Sequence, residues 1–139
     1  MTRGARLATL ILCLWMGSLW TVCGIVVPGL FHLLDPDKQL AGRIAAQFFY
    51  VEVWLGALLG LMYWLLRRHA MGRSTQAWLW AAIFAPLVFF VVLRPVMNSL
   101  REAGDMIRFG QMHGIASLLF LIGCVGTGIV AWRHLMERK

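Results

Sequence analysis

The chain has 139 residues, of which 60 % are hydrophobic and 14 % charged, and a formal net charge of +7. That is too apolar for a soluble domain, and the length suits one domain only. Nor does the basic excess point to nucleic acid, because the cations flank apolar stretches and form no continuous stripe.

Four stretches with almost no charge fill the chain. Residues 7–34, 74–93 and 109–132 carry no Asp, Glu, Lys or Arg, and residues 44–66 carry one acid, Glu52. A helix needs about 20 apolar residues to cross a bilayer core, so each stretch is long enough. In lipid an isolated apolar segment satisfies its backbone only as a helix. The expected fold is therefore all-α, an antiparallel four-helix transmembrane bundle forming a single domain over residues 1–139. Its spans are placed near 7–32, 42–67, 76–98 and 108–134. Arg3 and Arg6 ahead of the first stretch resemble a signal peptide, but the apolar run is too long, and it reads as an uncleaved first span. Asp35-Pro36-Asp37 marks the turn after it. The third span is expected to end at Arg94-Pro95, with residues 98–108 forming a short interfacial helix before the fourth.

Lys and Arg set the orientation. Arg3, Arg6, Arg67, Arg68, Arg73, Arg133, Arg138 and Lys139 fall on one side, eight cations. Lys38, Arg43, Arg94, Arg101 and Arg108 fall on the other, five. The richer side should be cytoplasmic, which puts both termini inside and the protein in the cytoplasmic (inner) membrane. Anionic lipid head groups are the expected contacts of the cytoplasmic cations. Trp64, Trp78, Trp80 and Trp132 fall near that boundary, where indoles prefer to sit.

Each span has a small or polar stripe. Gly17 and Gly24 lie on the first with Cys13, Thr21 and Pro28. Gly56 and Gly60 lie below Glu52 on the second, and Gly110 and Gly114 open the fourth. Small residues let helices approach closely in lipid, so these six glycines are the expected packing positions, either within the bundle or at a seam with a second copy. Cys13 and Cys124 are expected as reduced neighbours roughly 9 and 12 Å above the cytoplasmic boundary.

Glu52 is the most informative residue. It sits roughly 8 Å inside the outer end of its span, where a charge costs about 2.5–3.5 kcal/mol. It must face inward and find a partner, or carry a proton. His32, Arg94, Asn98, His113 and Ser117 lie at similar depth on the other spans. The expectation is a polar cluster at the outer side, with Arg94 or His113 in hydrogen-bonding reach of Glu52. A structural network fixing helix order and a pocket for an ion, proton or small ligand are both compatible with it. His32 and His113 would be the ligands if the protein held haem b or copper, but no close His pair or Cys-x-x-Cys supports a cofactor or metal. There is no phosphate-binding loop, GxSxG or HExxH.

Several short pieces resemble the transmembrane protein 205-like family, which bacterial proteins enter as a domain of unknown function. They are Trp15-Met16-Gly17, Val27-Pro28-Gly29-Leu30-Phe31, Ala41-Gly42-Arg43-Ile44 with Phe48, Leu93-Arg94-Pro95, and Phe109 with His113-Gly114 and Ser117. The resemblance implies a four-helix integral membrane protein without an assigned reaction. The family often has Asn beyond the span-four Ser, where this chain has Leu121 and Cys124. Together these readings favour a non-enzymatic protein whose outer polar cluster binds or relays a small polar species or supports a partner membrane protein. The alternatives are a haem-bearing oxidoreductase or copper-handling protein, and a purely structural subunit.

Overall fold

The computed structural model describes residues 3–136. Arg138 and Lys139, two of the eight cations assigned to the cytoplasmic side, lie outside the described residues. Four helices are long and apolar enough to cross a membrane: α1 (Arg3–Leu33), α2 (Lys38–Arg67), α3 (Arg73–Glu102) and α4 (Met106–Met136). At 30–31 residues each is about 45 Å long, so every helix runs past the apolar stretch that predicts it. Each packs on its sequence neighbours, and α1 closes the ring against α4.

Short connections make the bundle antiparallel. The Asp37 side chain accepts a hydrogen bond from Leu40 N at 2.9 Å and starts α2. Between α2 and α3, Gln76 Nε2 donates to the carbonyls of Arg68 (3.2 Å) and Met71 (3.3 Å), which lack helical partners. Between α3 and α4 the chain reverses at Gly104, with φ +73°, a backbone region glycine enters without a Cβ penalty. Gly104 N reaches Arg101 O, and Asp105 N reaches Leu100 O at 3.0 Å, which is a Schellman-type helix end.

This last turn corrects the sequence expectation. Residues 98–108 form no separate interfacial helix, because α3 continues to Glu102. Proline does not stop the helix because a wide π-type turn precedes it. Phe89–Leu93 forms one such turn ahead of Pro95, and Val22–Val26 forms the other ahead of Pro28. A proline ring clashes with the carbonyl four residues back. For Pro95 and Pro28 those carbonyls belong to Val91 and Gly24, inside the wide turns. There the bonding pattern lengthens, with Arg94 N reaching Phe89 O and Val27 N reaching Val22 O.

The core sits in the half of the bundle toward the chain termini. Buried positions recur at alternating four- and three-residue steps, which keep one face of a helix inward. On α1 they are Ala8, Leu12, Trp15, Leu19 and Val22, with Ile11 buried beside Leu12. On α4 they are Ala116, Phe120, Gly123, Thr127, Val130 and His134, with Gly126 buried beside Thr127. Trp15, 1 % exposed, is the largest knob. A Cβ on Gly56 would come 2.8 Å from its Nε1, and one on Gly60 would come 2.9 Å from its six-membered ring and 2.7 Å from Ile83. The indole fits because both positions are glycine. On the α3–α4 seam a Cβ on Gly126 would lie 2.9 Å from Ala82 Cβ and 3.0 Å from Trp78 O.

The other four expected packing glycines behave differently. Gly17, Gly24, Gly110 and Gly114 are exposed, and a Cβ on any of them would meet nothing within 4 Å. Gly17 lies two residues beyond Trp15, about 200° around the helix, so the small stripe of α1 faces away from the bundle. Large-on-small packing sets the α1–α2 seam, and small-on-small packing of Gly126 on Ala82 sets the α3–α4 seam.

These contacts divide the glycines sharply. Gly126→Ala should destabilise the purified protein by about 1–3 kcal/mol, since its neighbour is backbone that cannot swing aside. Gly17→Ala and Gly110→Ala should leave thermal unfolding in detergent unchanged. Equal losses at all three positions would contradict the assignment.

Candidate functional site

Toward the other end the helices part. Val27–Leu33 contributes no buried residue, and neither does Phe89–Leu93. A chamber of about 930 Å³ opens between all four helices. Val27 and Phe31 of α1, Ala45 and Phe49 of α2, and Phe109 and Ala116 of α4 are among its walls, and Lys38 and Arg101 also line it. Its floor is aromatic. Phe49 lies 4.3 Å from Phe120 and 6.4 Å from Phe89, and Phe89 lies 5.2 Å from Phe120, between ring centroids. Three helices thus each supply one ring to the plug.

Cys23 and Cys124 also line the chamber. They come from α1 and α4 and face the same space. This corrects the expected Cys13–Cys124 pairing. Cys13 is exposed, because it lies two residues before Trp15 and so on the opposite face of α1.

Glu52 is buried, 6 % exposed, and points toward α1. Ser18 Oγ lies 3.3 Å from Glu52 Oε2 and 3.0 Å from Trp15 O. One hydroxyl proton serves one acceptor at a time. The expected partners, Arg94 and His113, are not the ones found. Arg94 sits over the rings of Phe90 and Tyr50, 5.1 and 5.7 Å from their centroids. Tyr50 is two residues from Glu52, hence on the other side of α2, so Arg94 approaches the wrong face to reach the acid. His113 stacks on Phe109, with centroids 6.3 Å apart and planes 11° apart.

The six residues of the expected cluster are therefore distributed. Glu52 is buried against α1. His113 and Ser117 line the chamber, with Ser117 Oγ bonded to His113 O at 3.0 Å. Arg94 and Asn98 line a second, smaller cavity of about 300 Å³ between α2 and α3. His32 is exposed on α1 and is not part of either lining. Among the described residues, no three His, Cys, Asp or Glu side chains gather as metal ligands.

The smaller cavity brings together residues that the sequence placed at similar depth without pairing them with one another. Arg43, Gln47 and Tyr50 of α2 face Arg94, Asn98 and Arg101 of α3 across the smaller cavity. Both triplets follow i, i+4, i+7 spacing, one helix face each. Near the chain termini His134 is 3 % exposed. Its Nε2 lies 3.0 Å from Thr9 Oγ1 and its Nδ1 3.1 Å from Tyr63 OH, tying α4 to α1 and α2. The four-three rhythm of the buried face of α4 leads straight to it.

The fold and the chamber define an integral membrane protein with a cavity at one end of its bundle. Residues 10–105 match the family described as a domain of unknown function, DUF4149. The chain belongs to that family, whose description assigns no reaction. No curated protein and no solved structure matches the chain.

The thiol geometry can be checked directly. A mild oxidant applied to membranes should join Cys23 to Cys124, which line the same chamber, in preference to any pair including Cys13, which is exposed. Peptide mapping should find Cys13 free. A Cys13–Cys124 link would contradict the packing of α1 on α4.

Proposed function

We propose that this is a multi-pass protein of the cytoplasmic membrane, with both termini inside, that binds an amphipathic small molecule in a chamber open toward the outer leaflet. The role is binding rather than catalysis. The observation that carries it is the chamber itself. Ligand sites typically occupy about 300–1,000 Å³, with apolar and aromatic walls and a few polar groups; this cavity has the volume, the aromatic floor and the cationic lining. Its His113 and Ser117 can orient a polar end of the ligand. The eight-to-five distribution of Lys and Arg supports the orientation. A partner membrane protein, or a second copy of this chain, would find its contact on the exposed small stripe of α1.

Filling the chamber tests the reading. Ala116 is buried and lines it, so Ala116→Trp should occupy the space. Binding of a fluorescent acyl-chain probe to the purified protein should fall roughly tenfold or more, with the helical circular dichroism retained. Unchanged probe binding would remove the chamber as the site.

Orientation is tested separately. Reporter fusions after Lys38 and at Glu102 should report the outer side, and a fusion at Arg73 the cytoplasm. An outer-side signal from Arg73 would reverse the assignment.

A further inference from the structure

We propose that the cavity between α2 and α3 is the seat of a phosphate group, and that the ligand of the chamber is a phosphate-bearing lipid. This rests on the chamber reading and specifies its ligand. Arg43, Arg94 and Arg101 line the cavity together with Gln47, Tyr50 and Asn98, and no acidic side chain lines it. None of the three arginines forms an ion pair among the described residues. Asp105, the nearest acid in sequence to Arg101 after Glu102, is engaged by Arg108 at 3.5 Å. Three guanidinium groups facing one small space repel one another unless an anion lies between them.

Ordinary interfacial arginines extend to the aqueous boundary. Arg94 is instead half-buried and held over the Phe90 and Tyr50 rings, and Arg101 is held over Phe109 at 4.9 Å. Cation–π contacts of this kind fix a guanidinium in place and leave its in-plane N–H donors free for an anion. Planar forks of this type suit phosphate oxygens bidentately, and Gln47, Tyr50 and Asn98 add neutral donors.

The two cavities adjoin. Ala46, Phe89, Met97 and Arg101 line both. One molecule can therefore place its phosphate among the arginines and its chain against the aromatic floor. A free phosphate would use the cavity and leave the apolar chamber without a role, which favours the lipid.

The test uses the full chain, delipidated in detergent, and native mass spectrometry. Phosphatidylglycerol, diacylglycerol with the same chains, and inorganic phosphate are the probes. Phosphatidylglycerol should bind roughly tenfold or more tightly than diacylglycerol. Arg94→Gln and Arg43→Gln should each remove that preference and leave diacylglycerol binding unchanged, while Arg6→Gln should alter neither. Arg43 is exposed near the start of α2, so its variant remains informative if Arg94→Gln fails to fold. Equal binding of the two lipids, or a preference that survives both substitutions, would overturn the phosphate seat and leave the chamber standing. Inorganic phosphate binding as tightly as phosphatidylglycerol would assign the cavity to the free anion and overturn the lipid. If neither lipid binds, the chamber reading falls as well.

Discussion

The seating of Trp15 on Gly56 and Gly60 is the contact on which the rest of this bundle depends. In lipid an apolar side chain gains little by leaving its surroundings, so helices associate by close packing and by polar contacts. A buried indole supplies large contact area, but only where a facing helix leaves room. Two glycines one turn apart provide that room, and a Cβ at either would collide with the ring or with Ile83. The contact fixes the register of α1 against α2, and Ser18 and Glu52 meet as a consequence, since Ser18 follows Trp15 by three residues and Glu52 precedes Gly56 by four. Gly126 against Ala82 and Trp78 does the same for α3 and α4. His134 then bridges α4 to α1 and α2 through Thr9 and Tyr63.

All of these contacts lie on one side of the aromatic floor. Beyond it, α1 and α3 each pass through a wide turn followed by a proline, at similar depth and on opposite corners of the ring. The wide turns shift the helical phase, so the inward stripes of the first half do not continue into the second. Val22 is the last buried position of α1, and Met97 the only one of α3 beyond Pro86. The chamber follows from that change of phase. Because Phe49, Phe89 and Phe120 close it below and the inner half is tightly packed, it has the form of a pocket rather than a passage.

The spans were legible because a charge-free run of bilayer length is seldom anything but a membrane helix, and the inward position of Glu52 was legible because a carboxyl facing lipid is costly. The partner of Glu52 was not. Depth along the helix suggested Arg94, but rotation about α2 decides the contact, and depth carries no information on rotation. Small-residue stripes misled on α1 and at the start of α4 for a related reason: glycine spacing marks a face that can be approached, while the Ala8–Trp15–Leu19 stripe marks the face that is. His134 was readable in principle, since the four-three rhythm from Ala116 passes through it. The arginine cavity was readable too, from the matched triplets 43, 47, 50 and 94, 98, 101. Counting those arginines as topology charges concealed their common direction.

That double role of the arginines bears on why they are there. Cations at the chamber end work against the orientation that the cations at the terminal end favour. A chain under no other demand would reduce them, yet five of its thirteen Lys and Arg residues lie on that side. If they were there only for contact with surrounding lipid, they would be spread around the bundle. Instead Arg43, Arg94 and Arg101 converge on one small cavity, two of them braced on aromatic rings, and that cavity shares walls with the chamber. The weakened topology signal is then the cost of gathering positive charge at a binding site. The tight inner half, with its tryptophan, glycines and buried histidine, supplies the rigidity that lets the outer half remain open.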